Sequence, residues 1–136
     1  MGAIANIVVN DGETTPVAHT FQPVSSGLNS LYREALPGVP LLGQGSIKLV
    51  SKPVTNQGLD RRKITLAIPI MEAVLGTNAA GYTAAPEVAH VVTMNIEVIA
   101  HERATAQEID NVRTMALNIL GDSQLVDFLD NRETPY

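Results

Sequence analysis

The stretch VAHVVTMNIEVIAHERATAQEIDNVRTMALNILGDSQLVDFL, Val88 to Leu129, changes its hydrophobic period halfway along. From Val88 to Ile99 the run is rich in Val and Ile and predicts the longest strand of the chain. Strict alternation sends Thr93, Asn95 and Glu97 to one face and Met94, Ile96 and Val98 to the other. After His101 the spacing lengthens: Ile109, Val112, Ala116 and Ile119 recur at helical intervals, and Leu120 joins their face. Thr105 with Glu108 forms a capping-box pattern, and Gly121 stops the helix. A short second helix follows, starting from a cap at Asp122 or Ser123. The predicted helices therefore span about 105–120 and 123–130.

Upstream, the chain reads as strands. Ile4 to Val9 and Val17 to Phe21 flank "NDGE", a hairpin signal over about 4–21 in which Gly12 can take a positive φ. Between Gln22 and Gly45 Pro, Gly and Ser are dense, and only Leu28 to Arg33 suggests a short strand. Gly45 to Lys52 alternates as a strand, and "PVTNQGLD" turns the chain, with Gly58 permitting the bend. Lys63 to Ile68 makes the next strand, closed by Pro69. Met71 to Pro86 is a long loop of small residues, of the kind that is functional or mobile. The sheet then covers about 28–99. Strands first and helices last predict an α+β fold in a single domain, 1–136. One short chain's sheet is little cover for the stripe of the first helix, and a partner subunit could complete that burial.

Composition narrows the functional classes. At 136 residues with 45% apolar side chains, the chain can bury a core and is too apolar to be disordered. It contains no Cys, which removes disulfides, thiolate metal sites and a Cys nucleophile. No apolar run reaches the length of a membrane span, and no export signal is visible at the N-terminus, so no membrane partner is expected.

Charge is unevenly placed. The net charge is −5, yet five of nine Lys and Arg fall between Lys48 and Ile70: Lys48, Lys52, Arg61, Arg62 and Lys63, against the single acid Asp60. Alternation puts Ser46, Lys48, Val50 and Lys52 on one face and Ile47, Leu49 and Ser51 on the other; a one-residue slip would exchange the two sets. Lys63, Thr65 and Ala67 oppose Ile64, Leu66 and Ile68 in the same way, while Arg61 is read as part of the preceding turn. Such a polar face suits RNA, since cations meet phosphates and short polar groups reach base edges and ribose hydroxyls. Alternation alone leaves an ordinary solvated face equally open.

Catalytic and cofactor patterns are weak. His19, His90 and His101 have no metal-ligand spacing, and "HERAT" at His101 lacks the second His of a zinc-binding helix. "LLGQGS" has neither the lysine nor the following helix of a phosphate loop. Nothing assembles a nucleophile, base and oxyanion hole, so no enzyme, metal or cofactor is expected.

Three segments together carry a family resemblance: "RRKITLAIP" (Arg61 to Pro69), "TMNIEVI" (Thr93 to Ile99) and "VRTMALNILGDSQLVDFLDNRETPY" (Val112 to Tyr136). They resemble the coat proteins of the single-stranded RNA bacteriophages, the levivirus type, and the order of elements agrees over nearly the whole chain. The resemblance implies an intertwined homodimer whose sheets join edge to edge, each chain's helices lying across the partner's sheet. It implies assembly into an icosahedral shell, a virion location after assembly in the bacterial host cytoplasm, and single-stranded genomic RNA on the inner sheet face. Repression of replicase translation through an RNA hairpin is a further implication. The RNA-facing set would be Ser46, Lys48, Lys52, Arg61, Lys63, Thr65, Thr93, Asn95 and Glu97. Two alternatives remain at this stage: an RNA-binding dimer that forms no shell, and a small α+β ligand-binding domain or enzyme.

Overall fold

Six strands lie side by side in the order in which they occur along the chain. β1 (Ile7–Asn10), β2 (Ala18–Ser25), β3 (Asn29–Glu34), β4 (Ser46–Lys52), β5 (Leu59–Met71) and β6 (Val88–His101) form one sheet of order β1-β2-β3-β4-β5-β6. Two helices follow, α1 (Ala106–Leu120) and α2 (Ser123–Asp130), so the α+β expectation holds. The computed structural model describes residues 4–54, 56–73, 76, 79–82 and 85–135. Parts of the predicted 71–86 loop, and the terminal Tyr136 on which the resemblance partly rests, lie outside the described residues. At the base of that loop the Glu72 N–H donates to the Glu87 carbonyl at 2.8 Å.

By its internal packing the chain forms two compact units, Met1–Ile99 and Ala100–Tyr136. In the first, the antiparallel register sets Phe21 opposite Glu34, Tyr32 opposite Ile47, and Ile47 opposite Leu66. Directly opposed residues share a face, so these side chains meet on one side of the sheet. Phe21, Tyr32 and Ile47 are buried there at 1%, 8% and 7% exposure, with Ile7, Leu49, Leu66 and Ile68 packed around them. Ile47 and Leu49 thus face the core, which fixes the parity of β4: Ser46, Lys48, Val50 and Lys52 point the other way. Gly45 lets this core close, because a Cβ there would come within 3.1 Å of Ile68 and 3.2 Å of Phe21.

Four sequence expectations about the strands need correction. The β1–β2 hairpin forms, but Gly12 is not among the glycines with positive φ. Its turn is held instead by the Asp11 carboxylate, whose Oδ1 accepts from the N–H of Val17 (2.9 Å) and of Glu13 (3.3 Å). β2 runs four residues past Phe21, through Pro23, with a register shift between Pro23 and Ser25. β5 does not stop at Pro69 but continues to Met71. Its pairing with β4 ends at Ala67, so the missing N–H of Pro69 breaks no bond of that ladder. β5 also starts earlier, at Leu59, because β4 reaches Lys52 and Lys52 pairs with Arg61. Arg61 is therefore a strand residue, not a turn residue.

In the second unit the helix signals are realised. Thr105 caps α1: its Oγ1 accepts from the Glu108 N–H at 3.3 Å, and Glu108 Oε2 accepts from the Thr105 N–H at 2.7 Å. These contacts hold the Glu108 carboxyl below its ordinary range. Asp122 caps α2 through Gln124 N–H at 3.0 Å. Neither helix has a buried residue, and Val112, Met115, Leu117 and Ile119 are each more than half exposed.

Candidate nucleic-acid interface

The face opposite the Phe21 core is built row by row from the register. Ser46 stands opposite Ala67, Lys48 opposite Thr65, Val50 opposite Lys63, and Lys52 opposite Arg61. β3 extends each of the first three rows, with Arg33 opposite Ser46, Leu31 opposite Lys48 and Asn29 opposite Val50. β2 adds Gln22 opposite Arg33. On the β6 side the Thr65 hydroxyl donates to Asn95 Oδ1 at 2.8 Å, which places Asn95 on this face, and with it Thr93 and Glu97 two residues to either side. All nine residues proposed from the sequence therefore lie on one face.

The charge on this face is one-sided. Arg33, Lys48, Lys52, Arg61 and Lys63 share it, and among the described strand residues the only acid there is Glu97. Lys48, Lys52, Arg61 and Lys63 are exposed, and none of the four forms an ion pair with a described residue. Lys52 directly faces Arg61, a like-charge pairing that costs sheet stability unless an anion lies between the two. At the same end, Lys52, Asn56, Gln57 and Arg61 line an open cleft. Thr65 and Asn95 supply short hydrogen-bonding groups one row from Lys63. Because Asn95 Oδ1 accepts from Thr65, its NH₂ group is left to donate elsewhere.

Arg62 shows the contrast. It sits opposite Ser51 on the core side of the sheet and is neutralised locally. Its Nε donates to Asp60 Oδ1 at 3.0 Å, its Nη2 to Asp60 Oδ2 at 3.0 Å, and its Nη1 to Ser51 Oγ at 3.2 Å. The hydrogen bonds to Asp60, with its charge, raise the guanidinium pKa further. The basic cluster of the sequence is thus two populations on two faces.

The sequence reading missed Arg33, which lies outside the basic cluster. Alternation within "NSLYRE" carries the signal, since Tyr32 and Glu34 turn to the core side. His19 bridges two carboxylates on the core side, with Nδ1 at 2.7 Å from Glu34 Oε1 and Nε2 at 3.2 Å from Asp11 Oδ2. With a carboxylate at each ring nitrogen the charged imidazolium is favoured. The hydrogen bonds to Asp11 and then Glu34 raise its pKa, and the Val17 N–H, then His19, lower that of Asp11. His101 Nδ1 accepts from the Arg103 N–H at 3.2 Å, a local turn contact. Among the described residues no group of three or more His, Asp or Glu is placed to hold a metal ion.

Comparison with known proteins follows the same line. A family model described as levivirus coat protein matches residues 2–136. Among curated proteins none matches. Among solved structures, the chain is similar to a virus-like particle of bacteriophage EMS014, at 32% identity and a TM-score of 0.76, covering 88% of this chain and 75% of that one. A virus-like particle of bacteriophage ESE058 is similar at 25% identity and a TM-score of 0.86, covering 99% and 100%. The capsid protein of bacteriophage GA shares the fold at 14% identity and a TM-score of 0.70, covering 96% of each chain.

Proposed function

The chain belongs to the levivirus coat protein family, and from that membership we propose that it builds an icosahedral shell from dimers and holds single-stranded RNA against the polar face of its sheet. Family membership makes it a structural capsid protein and not an enzyme. The assembled particle is where it acts, after assembly in the cytoplasm of the bacterial host. Residues 1–136 serve as one coat-protein domain in that assembly.

The single observation that carries the RNA reading is the row in which Lys52 faces Arg61, with Lys63 and Lys48 in the rows beyond and no carboxylate of a described residue paired to any of them. Phosphates supply the missing anions, and the salt-dependent release of their counterions drives binding. Thr65, Thr93, Asn95, Ser46 and Glu97 stand among the cations with groups that can meet bases and ribose. Repression of translation by binding an RNA hairpin uses the same face.

The dimer reading rests on apolar surface. α1 exposes Val112, Met115, Leu117 and Ile119, and on the side of β6 away from Asn95 the strand exposes Val92, Met94 and Ile96. In the dimer, each chain's helices cover its partner's sheet on the side away from the RNA. The similar chains described as virus-like particles support assembly beyond the dimer.

Two measurements test this. The purified protein should elute as particles that absorb as nucleoprotein and show shells by electron microscopy; a nucleic-acid-free dimer would contradict the shell. Asn95→Ala should reduce discrimination between a cognate and a scrambled hairpin more than it reduces overall affinity. Equal losses for both hairpins would remove base contact from Asn95.

A further inference from the structure

Resting on that RNA reading, we propose that Arg33, Lys48 and Lys63 form one oblique track across β3, β4 and β5 that grips successive phosphates of a single RNA strand. The register dictates the line. Arg33 stands opposite Ser46, and Lys48 is two residues beyond Ser46 on the same strand. Lys48 stands opposite Thr65, and Lys63 is two residues from Thr65. Each step is therefore a diagonal neighbour on one face, about 7–8 Å apart at the backbone. Long flexible side chains at that spacing can each take one phosphate of an extended strand, and one row further on Lys52 and Arg61 continue the positive surface.

Arg33 is the member that nothing else explains. Glu34, its chain neighbour, points to the core side, and Arg33 has no ion pair with a described residue. Its Nε is buried and has no hydrogen-bond partner among the described residues. A guanidinium left with an unmet donor is poised to reorient when an acceptor arrives, and a phosphate offers two oxygens in the geometry of its fork. Beside it, Gln22 and Ser46 are the directly opposed residues and can hydrogen-bond a ribose or a base at that end. The track thus lengthens the RNA surface toward β2, past the strands that carry the basic cluster.

The test is a salt titration of binding by the full-length protein to an unstructured oligouridylate. Arg33→Gln keeps a stem of similar length and removes the charge. It should lower the steepness of log K against log salt by about 0.7, the value for one phosphate on a single strand. Lys63→Ala should do the same, the two losses should add, and Arg33→Lys should restore the slope. Arg62→Ala, on the other face, should leave the slope unchanged. A wild-type slope for Arg33→Gln beside a reduced slope for Lys63→Ala would end the track at Lys48 and overturn this proposal alone. Wild-type slopes for both would overturn it together with the RNA reading. Arg33→Lys serves as the folded comparison, with circular dichroism confirming that each variant retains the fold.

Discussion

The two faces of this sheet are made by the same strands, and they treat charge in opposite ways. On the core side, Arg62 is held by Asp60 and Ser51, and His19 by Asp11 and Glu34. Every cation there has its anion inside the chain. On the other side, Lys48, Lys52, Arg61 and Lys63 have none among the described residues, and Lys52 and Arg61 confront each other. Folding alone does not favour that arrangement, since like charges opposed across strands are destabilising. An anion from outside the chain, as in the proposed RNA complex, would make it favourable. The difference teaches that a basic cluster in sequence is informative only after its members have been assigned to faces.

The most damaging way to break the comparison is to charge the helix surface that, in the proposed dimer, covers a partner's core side. Val112 is exposed in the single chain, and the proposed dimer would cover it. Val112→Asp would bury an unpaired charge there, on the order of 3–5 kcal/mol by analogy with a broken buried ion pair. Particles should be lost, and folding with them, because an obligate dimer has no stable monomer to fall back on. A soluble, well-folded monomer, seen by sedimentation and circular dichroism, would contradict the intertwined dimer.

The next effect belongs to the core itself. Phe21 is 1% exposed and touches the space that Gly45 keeps open. Phe21→Ala should cost about 3–5 kcal/mol and lower the urea midpoint accordingly. RNA affinity per folded molecule should hold, because no residue of the polar face is touched. A parallel loss of RNA affinity in the folded fraction would show that the two faces are not separable.

A smaller effect tests how the core side holds its charges. The raised pKa of His19 means that its bridge contributes stability fully below the unfolded value of about 6.5, and that this is lost as pH rises through the folded value. Asp11 acts in the other direction: its lowered pKa gives stability present above the unfolded value, lost as pH falls through the folded one. Melting temperature should therefore decline from about pH 6.5 upward in the wild type, and more shallowly in His19→Gln. Identical pH profiles for the two proteins would remove the imidazolium from the account.

What was legible in the sequence was local. The capping box of Thr105 and Glu108 and the stripe of α1 need only neighbours in the chain, and the structure places both where the spacing put them. The two alternating sets of β4 were legible, but which of them faces the core was not: the pairing of Tyr32 with Ile47 in the buried cluster decides it. Long-range facts were not legible. Pro69 reads as a strand end, yet β4 stops pairing at Ala67, so the proline interrupts nothing on that side. Arg61 reads as a turn residue until its partner Lys52 is known. The His19 bridge joins residues 11, 19 and 34, and no spacing rule connects them. Arg33 stands outside the basic cluster, and its face follows only from the burial of Tyr32 and Glu34 on either side of it.

The central claim is that RNA meets one face of this sheet and not the other. Ultraviolet cross-linking of intact particles, with the cross-linked residues read by mass spectrometry, measures this directly. The account predicts adducts at the polar-face set, Lys48, Lys63, Thr65, Thr93 and Asn95 among them, and none at Arg62, Ile64 or Leu66 one residue away. Adducts concentrated on Arg62 and its face, or distributed evenly between alternate residues of β5, would contradict it.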